Sequence, residues 1–318
     1  MKRSRRAWLL GIGCASLSGC AVFAEPPQSA ALAAAPPQDL PTRTELRGVP
    51  FFPQTPYHCG PAALATVLTH AGLAATPEQL ADAVFLPARE GALQAEMLAA
   101  ARRFGALAVP VQPQMSALLQ EVAAGHPVVL LQNLGLSFMP RWHYAVLVGY
   151  ELAAREVTMR SGTTEREIMG FTLFERTWAR SAHWAFVAVA PGHLPATATE
   201  VDAVQAAIAF ERVAPAAQAL RAYDSVVERW PANLLAGLGQ GNVRASSGDL
   251  SGAAAAFERA ARQHDSAAAW HNLGAVLLRM NRREQAQDAA ARALARASSA
   301  EPQWLAASQA LLAQTRAR

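Results

Sequence analysis

The sequence predicts an α+β domain followed by an all-α domain made of helical repeats. Between Leu46 and Pro191, helical patterns come first and strand patterns follow, which is the order of an α+β fold. From about Thr197 onwards the chain is rich in alanine and helical in pattern, and a set of residues recurs every 33 or 34 positions. A fixed spacing of this kind is typical of stacked helical hairpins.

The first residues resemble a secretory signal. Four of residues 2–6 are basic, a short apolar stretch follows, and small residues lead to Cys20. Residues 17–20 resemble a bacterial lipobox, in which the cysteine receives the lipid and becomes the new N-terminus. We therefore expect removal of residues 1–19, lipidation of Cys20 and export to the periplasmic face of a bacterial membrane. Ala21 is not aspartate, which resembles the Gram-negative pattern for the outer membrane; an ordinary signal peptide with a chance cysteine is the alternative.

Removal of residues 1–19 would leave the chain electrically balanced. The whole sequence has 28 basic and 24 acidic residues, and the removed segment holds four basic and no acidic ones, which leaves 24 of each. A balanced charge gives no reason to expect nucleic-acid binding. Lys2 is the only lysine, so P-loop and Schiff-base lysine chemistry are excluded for the mature chain.

Residues 20–45 are rich in alanine, proline and glutamine, and we predict a disordered tether there. The α+β domain is expected over residues 46–192. Four helices and then four strands and a short helix are predicted in it from their periodicity and terminal residues. The predicted helices are Cys59–Ala71, Pro77–Val84, Ala92–Phe104, Met115–Ala124 and Phe171–Trp178, and the predicted strands are Pro127–Gln132, His143–Tyr150, Glu156–Arg160 and Trp184–Val189.

The C-terminal domain, residues 200–318, repeats itself about three times. The set Ala253, Phe257 and Ala260 recurs 33 positions later as Ala286, Ala290 and Ala293. It also recurs 34 positions earlier as Ala219, Tyr223 and Val226. Trp270 to Gly274 matches the start of a tetratricopeptide repeat. We expect such repeats to recruit a protein partner; a generic alanine-rich helical bundle is the alternative.

Cys59 is the residue with the clearest chemical signature. It lies where a proline-marked segment becomes an apolar helix, and with Cys20 lipidated it has no disulfide partner. A helix N-terminus and a neighbouring imidazolium are two features that lower a thiol pKa. His143, at the start of a predicted strand, is the candidate base, and the Cys59 backbone N–H and the Gln54 side-chain amide are candidate oxyanion donors.

At these residues the chain resembles the C39 family of papain-like cysteine peptidases. The matching stretches are Pro53-Gln54, Cys59 to Leu64 and His143 to Tyr150. The resemblance implies a papain-like α+β fold and a thiol mechanism with Gln54, Cys59 and His143 as oxyanion-hole, nucleophile and base residues. The whole layout is similar to exported C39-like lipoproteins that carry tetratricopeptide repeats.

Two positions depart from the family pattern. Gln54 lies five residues before Cys59, one fewer than in many members. The family usually has an aspartate after the strand that follows the histidine, and Ser161 occupies that place here. A serine hydroxyl accepts an imidazole N–H but brings no charge. Glu165 is a less favourable substitute because it lies beyond the strand end.

The sequence is compatible with three functions. The first is a lipid-anchored periplasmic cysteine peptidase that hydrolyses peptide bonds. The second is a non-catalytic binding or scaffold lipoprotein on a degenerate peptidase fold, which the missing aspartate motivates. The third is a related thiol reaction, amide hydrolysis or peptide ligation on a non-protein substrate. No cofactor or metal is expected, because four histidines lack metal-ligand spacing: His183, His193, His264 and His271.

Overall fold

The computed structural model describes residues 24–54, 58–86 and 91–317. The expected signal segment and Cys20 lie outside these ranges. No helix in the described part of the chain is long and apolar enough to cross a bilayer. The predicted succession of an α+β region and an all-α repeat region is confirmed.

The N-terminal region is built on an antiparallel sheet. The strands are β1 Arg43–Glu45, β4 Leu107–Pro110, β5 Val128–Asn133, β6 Trp142–Glu151, β7 Glu156–Ser161, β8 Thr164–Gly170 and β9 Ala185–Val189, and a separate pair is β2 Phe85–Leu86 with β3 Gly91–Ala92. The order in the sheet is β4-β9-β5-β6-β7-β8, and β1 pairs with the far end of β6. Gly149 in β6 admits the neighbouring strand, since a Cβ there would lie 2.8 Å from the Thr44 carbonyl oxygen.

Helices cover both faces of this sheet. One face packs against α2, α3 and α4 through residues such as Tyr144, Val146 and Val148. The opposite face packs against α5 and α6. These helices are α2 Cys59–His70, α3 Pro77–Val84, α4 Gln94–Arg103, α5 Met115–Ala123 and α6 Phe171–Ala179. The predicted helices and strands are therefore present, with ends that differ by one or two residues.

The structure differs from the predicted disordered tether. Within residues 20–45, helix α1, Pro27–Ala34, and strand β1 are ordered parts of the domain. Leu32 is buried, and the Glu175 carboxylate accepts the backbone N–H groups of Gln28 and Ser29 and the Ser29 hydroxyl. The composition of this segment does not indicate an ordered helix, because the Glu175 carboxylate that accepts its hydrogen bonds lies 146 residues beyond Ser29.

The C-terminal region is a stack of antiparallel helices. They are α7 Glu200–Glu211, α8 Ala216–Arg229, α9 Leu234–Ser246, α10 Leu250–His264, α11 Ala267–Arg279, α12 Arg283–Ser299 and α13 Leu305–Arg316. The recurring residues occupy equivalent places in α8, α10 and α12, and all are buried: Ala219, Tyr223, Val226, Ala253, Phe257, Ala260, Ala286, Ala290 and Ala293. The alanines at six of these places allow the close helix packing that a repeat stack requires, and the Tyr223 and Phe257 rings fill the space between helices in the earlier repeats.

The two regions share one hydrophobic core. Ala203, Val204 and Ala207 of α7 join the cluster that holds the α5 and α6 side of the sheet. Buried Glu121 of α5 fastens the connection, because its carboxylate accepts the Thr197 N–H at 2.6 Å and also the Ala196 N–H. The first repeat hairpin is therefore packed on the α+β region.

Candidate active site

Cys59 is the first residue of α2 and lines a cavity of about 1000 Å³. Gly60 permits the close approach of the helix to β3, since a Cβ there would lie 2.9 Å from the Ala92 Cβ. Pro61 sits in the first helical turn, where a missing N–H costs no hydrogen bond. The cavity is also lined by Gln54 and His143, and by Gly162 and Thr163, the two residues that follow Ser161.

Burial raises the pKa of the Cys59 thiol above its ordinary value. The backbone N–H groups of Tyr144, Gly60 and Cys59 itself act in the opposite direction but do not outweigh the loss of water around the sulfur. The expected lowering of this pKa is therefore overridden by burial. The same N–H groups surround the place where negative charge would develop on the thiolate.

His143 is held by Ser161. Its Nε2 atom lies 2.9 Å from the Ser161 hydroxyl oxygen. With the proton on Nε2, the imidazole donates to Ser161 and leaves Nδ1 able to accept a proton. The predicted pairing of His143 with Ser161 is present in the geometry.

Three influences act on the pKa of His143. Burial lowers it, the charge of the Glu167 carboxylate raises it, and the charge of Arg141 lowers it further. The net direction is downward, so the neutral imidazole is favoured. Together with the raised pKa of Cys59, this makes a neutral thiol and a neutral imidazole the resting pair.

Glu167 is a carboxylate that sequence reasoning missed. It lies in β8, opposite Met159 in register, and is half-buried. The carboxylate considered earlier, Glu165, is exposed, and its backbone carbonyl accepts a hydrogen bond from Arg160. The one available signal was Gly162 shortly after a predicted strand, which is typical of a hairpin turn.

Gln54 is placed by the turn that follows Ser161. Its backbone N–H donates to the Gly162 carbonyl at 3.0 Å, and Gly162 has a positive φ of 57°, a conformation that glycine adopts readily. One turn thus connects the candidate oxyanion residue with the residue that orients the base. Although Gln54 lies only five residues before Cys59, it lines the same cavity.

Tyr144 supports the site from beneath. Its hydroxyl donates to the Ala92 carbonyl at 3.1 Å, and its ring meets Trp184 edge-on. Burial and the neighbouring Cys59 raise the pKa of this phenol, so it stays protonated. The residue acts through its fixed backbone N–H and its packing against α2.

Comparisons with known proteins returned one family model and several solved structures. Residues 46–185 match the model of the Peptidase_C39 like family. No curated protein sequence matches the chain. Among solved structures, a C39-like peptidase from Bacillus anthracis aligns at 20% identity over 46% of this chain and 97% of its own, with a TM-score of 0.39.

Two repeat proteins align as well. The Sgt2 tetratricopeptide-repeat domain from Aspergillus fumigatus is 21% identical over 36% of this chain and 72% of its own, with a TM-score of 0.31. YrrB, described as a tetratricopeptide-repeat protein with an unusual peptide-binding site, is 20% identical over 37% of this chain and 69% of its own, with a TM-score of 0.30.

Proposed function

We propose that this chain, whose residues 46–185 match the model of the Peptidase_C39 like family, hydrolyses peptide bonds with Cys59 as nucleophile. The observation that carries the proposal is the hydrogen bond of 2.9 Å between His143 Nε2 and Ser161 Oγ in a cavity that also holds Cys59 and Gln54. A base that is oriented by a third group beside a nucleophile is the arrangement that covalent catalysis requires.

The reaction begins from the neutral pair. The Cys59 sulfur attacks the carbonyl carbon of the substrate while its proton passes to Nδ1 of His143. The backbone N–H of Cys59 and the Gln54 amide stabilise the oxyanion that develops. His143 then gives its proton to the leaving amine, which departs and leaves a thioester on Cys59. Water attacks this thioester with His143 as base, and the acid product and the thiol are released.

In this proposal Ser161 and Glu167 together take the two roles of the aspartate that the family pattern has, orienting the imidazole and stabilising its charge. Ser161 fixes the ring and its tautomer by a hydrogen bond, and Glu167 favours the imidazolium by its charge. Neither residue does both. We expect a slower enzyme than one with a directly bonded carboxylate, because charge-assisted hydrogen bonds are about twice as strong as neutral ones.

A thiol-reactive peptide electrophile tests the proposal. Cys59 should be modified much faster in the folded protein than in the denatured chain, and His143→Ala should abolish this advantage. A control variant is His70→Ala, which changes an exposed histidine at the far end of the same helix. Equal modification of folded and denatured protein would exclude the peptidase mechanism.

Two observations favour a second function, a non-catalytic binding lipoprotein. The pKa of Cys59 is raised and no carboxylate bonds directly to His143 in the described residues. A Cys59→Ala protein that binds peptides as tightly as the unmodified chain, with no cleavage by either, would support this alternative. Turnover lost only in Cys59→Ala would exclude it.

We also propose that Cys20 carries a lipid that anchors the protein to the periplasmic face of a bacterial membrane, and that the repeats bind a protein partner or substrate. The support is the basic and apolar segment before Cys20. A Cys20→Ser variant should leave the membrane fraction after alkaline extraction. Continued retention of that variant would contradict the lipid anchor.

A further inference from the structure

The hairpin between β5 and β6 exposes an unusual amount of apolar surface beside the cavity. Five side chains in residues 134–142 are between 42% and 84% exposed: Leu134, Leu136, Phe138, Met139 and Trp142. Phe138 is at the upper end of this range. Folded proteins rarely expose so many apolar side chains together, and such a patch marks a surface that a partner protein or a membrane covers.

This hairpin is rigidly built. Leu136 and Met139 exchange backbone hydrogen bonds of 3.2 and 3.1 Å across its tip. At its base the Asn133 side chain accepts the N–H groups of Gly135 and Arg141, each at 2.9 Å. The apolar side chains are therefore presented on a fixed frame, and their exposure is part of the folded state.

Helix α6 ties the hairpin to the N-terminal end of the described chain. Arg180 donates to the carbonyls of Asn133 and Gly135 at 3.0 and 2.8 Å. Arg176, one turn earlier, donates to the carbonyl of Ala24 at 2.9 Å. Positions four apart lie on the same side of a helix, about 6 Å from each other along its axis. The hairpin base and Ala24 are thus bound by neighbouring side chains.

The ordered start of the chain leaves little slack for an anchor. Ala24 is followed by Glu25, which forms an ion pair with Arg155, and then by α1. Cys20 is four residues before Ala24, a distance that an extended chain spans in roughly 14 Å. A lipid on Cys20 would therefore hold this side of α6 near the bilayer. Leu173 lies on that side, three residues before Arg176, and is 55% exposed.

We propose that residues 134–142 and the adjoining side of α6 form a lipid-facing surface that rests in the headgroup region of the bilayer. Within residues 134–142 the only charged side chain is that of Arg141, which suits the anionic headgroups of a bacterial membrane. Trp142 at the hairpin base is the kind of residue that favours the membrane interface. Since Pro140, Arg141 and Trp142 also line the cavity, its mouth opens at the lipid surface.

This inference rests on the proposed lipid anchor, and a fluorescence experiment separates the two. The full chain is expressed with its own signal, in a Cys59→Ala background, with Phe138→Cys carrying an environment-sensitive fluorophore. The purified lipoprotein is placed in vesicles of phosphatidylethanolamine and phosphatidylglycerol. Leu235→Cys is the matched control, because Leu235 is an apolar side chain, 50% exposed, in helix α9 of the repeats.

The label at position 138 should shift to the blue on vesicle binding and lose most of its emission to lipids with a quencher near the headgroup. The label at position 235 should stay accessible to aqueous iodide. Flotation with the vesicles but iodide quenching at 138 equal to that at 235 overturns the lipid-facing surface while the anchor stands. A protein that does not float overturns both. Modification of Cys59 in the unlabelled chain tests the peptidase proposal independently.

Discussion

Replacement of Ser161 tests most directly what the structure implies about the base. Ser161→Ala removes a neutral hydrogen bond of 2.9 Å to His143. A bond of this kind contributes about 0.5–1.5 kcal/mol, which corresponds to roughly a two- to tenfold loss in rate. Ser161→Asp supplies a charge-assisted bond of about 1.5–3 kcal/mol in its place. Because Ser161 is only 7% exposed, part of this gain offsets the desolvation of the new carboxylate.

The net expectation for Ser161→Asp is about a fivefold gain, which is close to 1 kcal/mol. The new carboxylate should also raise the pKa of His143, because it opposes the burial that lowers it now. The assay is the second-order rate of Cys59 modification by a peptidyl chloromethyl ketone between pH 5 and 9 (a range of about four units that brackets the imidazole pKa). The acid limb of the profile should move to higher pH in Ser161→Asp.

Thr164→Asp is the matched control, because Thr164 pairs with Ser161 across the turn and is exposed. It adds the same charge nearby without a bond to the imidazole. Thermal unfolding of each variant separates a change in reactivity from a loss of folded protein. If Ser161→Ala leaves both the rate and the pH profile unchanged, the proposed orientation of His143 by Ser161 is wrong.

Three further predictions concern charge, burial and repeat packing. Glu167→Gln should move the acid limb of the same profile to lower pH, because the charge that raises the histidine pKa is removed; Glu165→Gln should leave it in place, and equal shifts would refute a specific role for Glu167. Hydrogen bonds hold the pKa of Glu121 below its usual 4.5 despite burial, so its contribution to stability is present above the unfolded-state pKa and is lost as pH falls through the lower folded value. Urea unfolding should therefore show Glu121→Ala less stable by about 3 kcal/mol near neutral pH, with a difference that shrinks in acid; a pH-independent difference would contradict this. Gly239→Ala should destabilise the repeats by about 1–3 kcal/mol, because its methyl group would overlap the Tyr223 ring. The control Gly237→Ala, whose new methyl group would lie 3.4 Å from the Ala260 Cβ, should be neutral or stabilising. The reverse order of the two variants in thermal unfolding would refute the packing.

The elements that sequence predicted well are those whose signals are local. Helix α3 begins at a proline after Thr76, and the structure shows the capping box that Thr76 and Gln79 form. Strand β9 is a continuous apolar run and β5 begins with one, Val128–Leu131, and both strands are buried along their whole length. Strand β8 was missed because it is an edge strand with mostly exposed, charged residues, and such a strand depends on pairing rather than on its own composition.

Sequence alone predicted a thiol nucleophile at Cys59, the order of the two regions and the spacing of the repeats. These follow from neighbouring residue types and from periodicity, which short-range physics governs. The folded structure was needed to see that the charge of Glu167 raises the pKa of His143, that burial outweighs the helix end in setting the pKa of Cys59, and that a helix, Pro27–Ala34, precedes β1. Each of these depends on groups that are brought together from distant parts of the chain, and desolvation and pairing between such groups have no signature in local sequence.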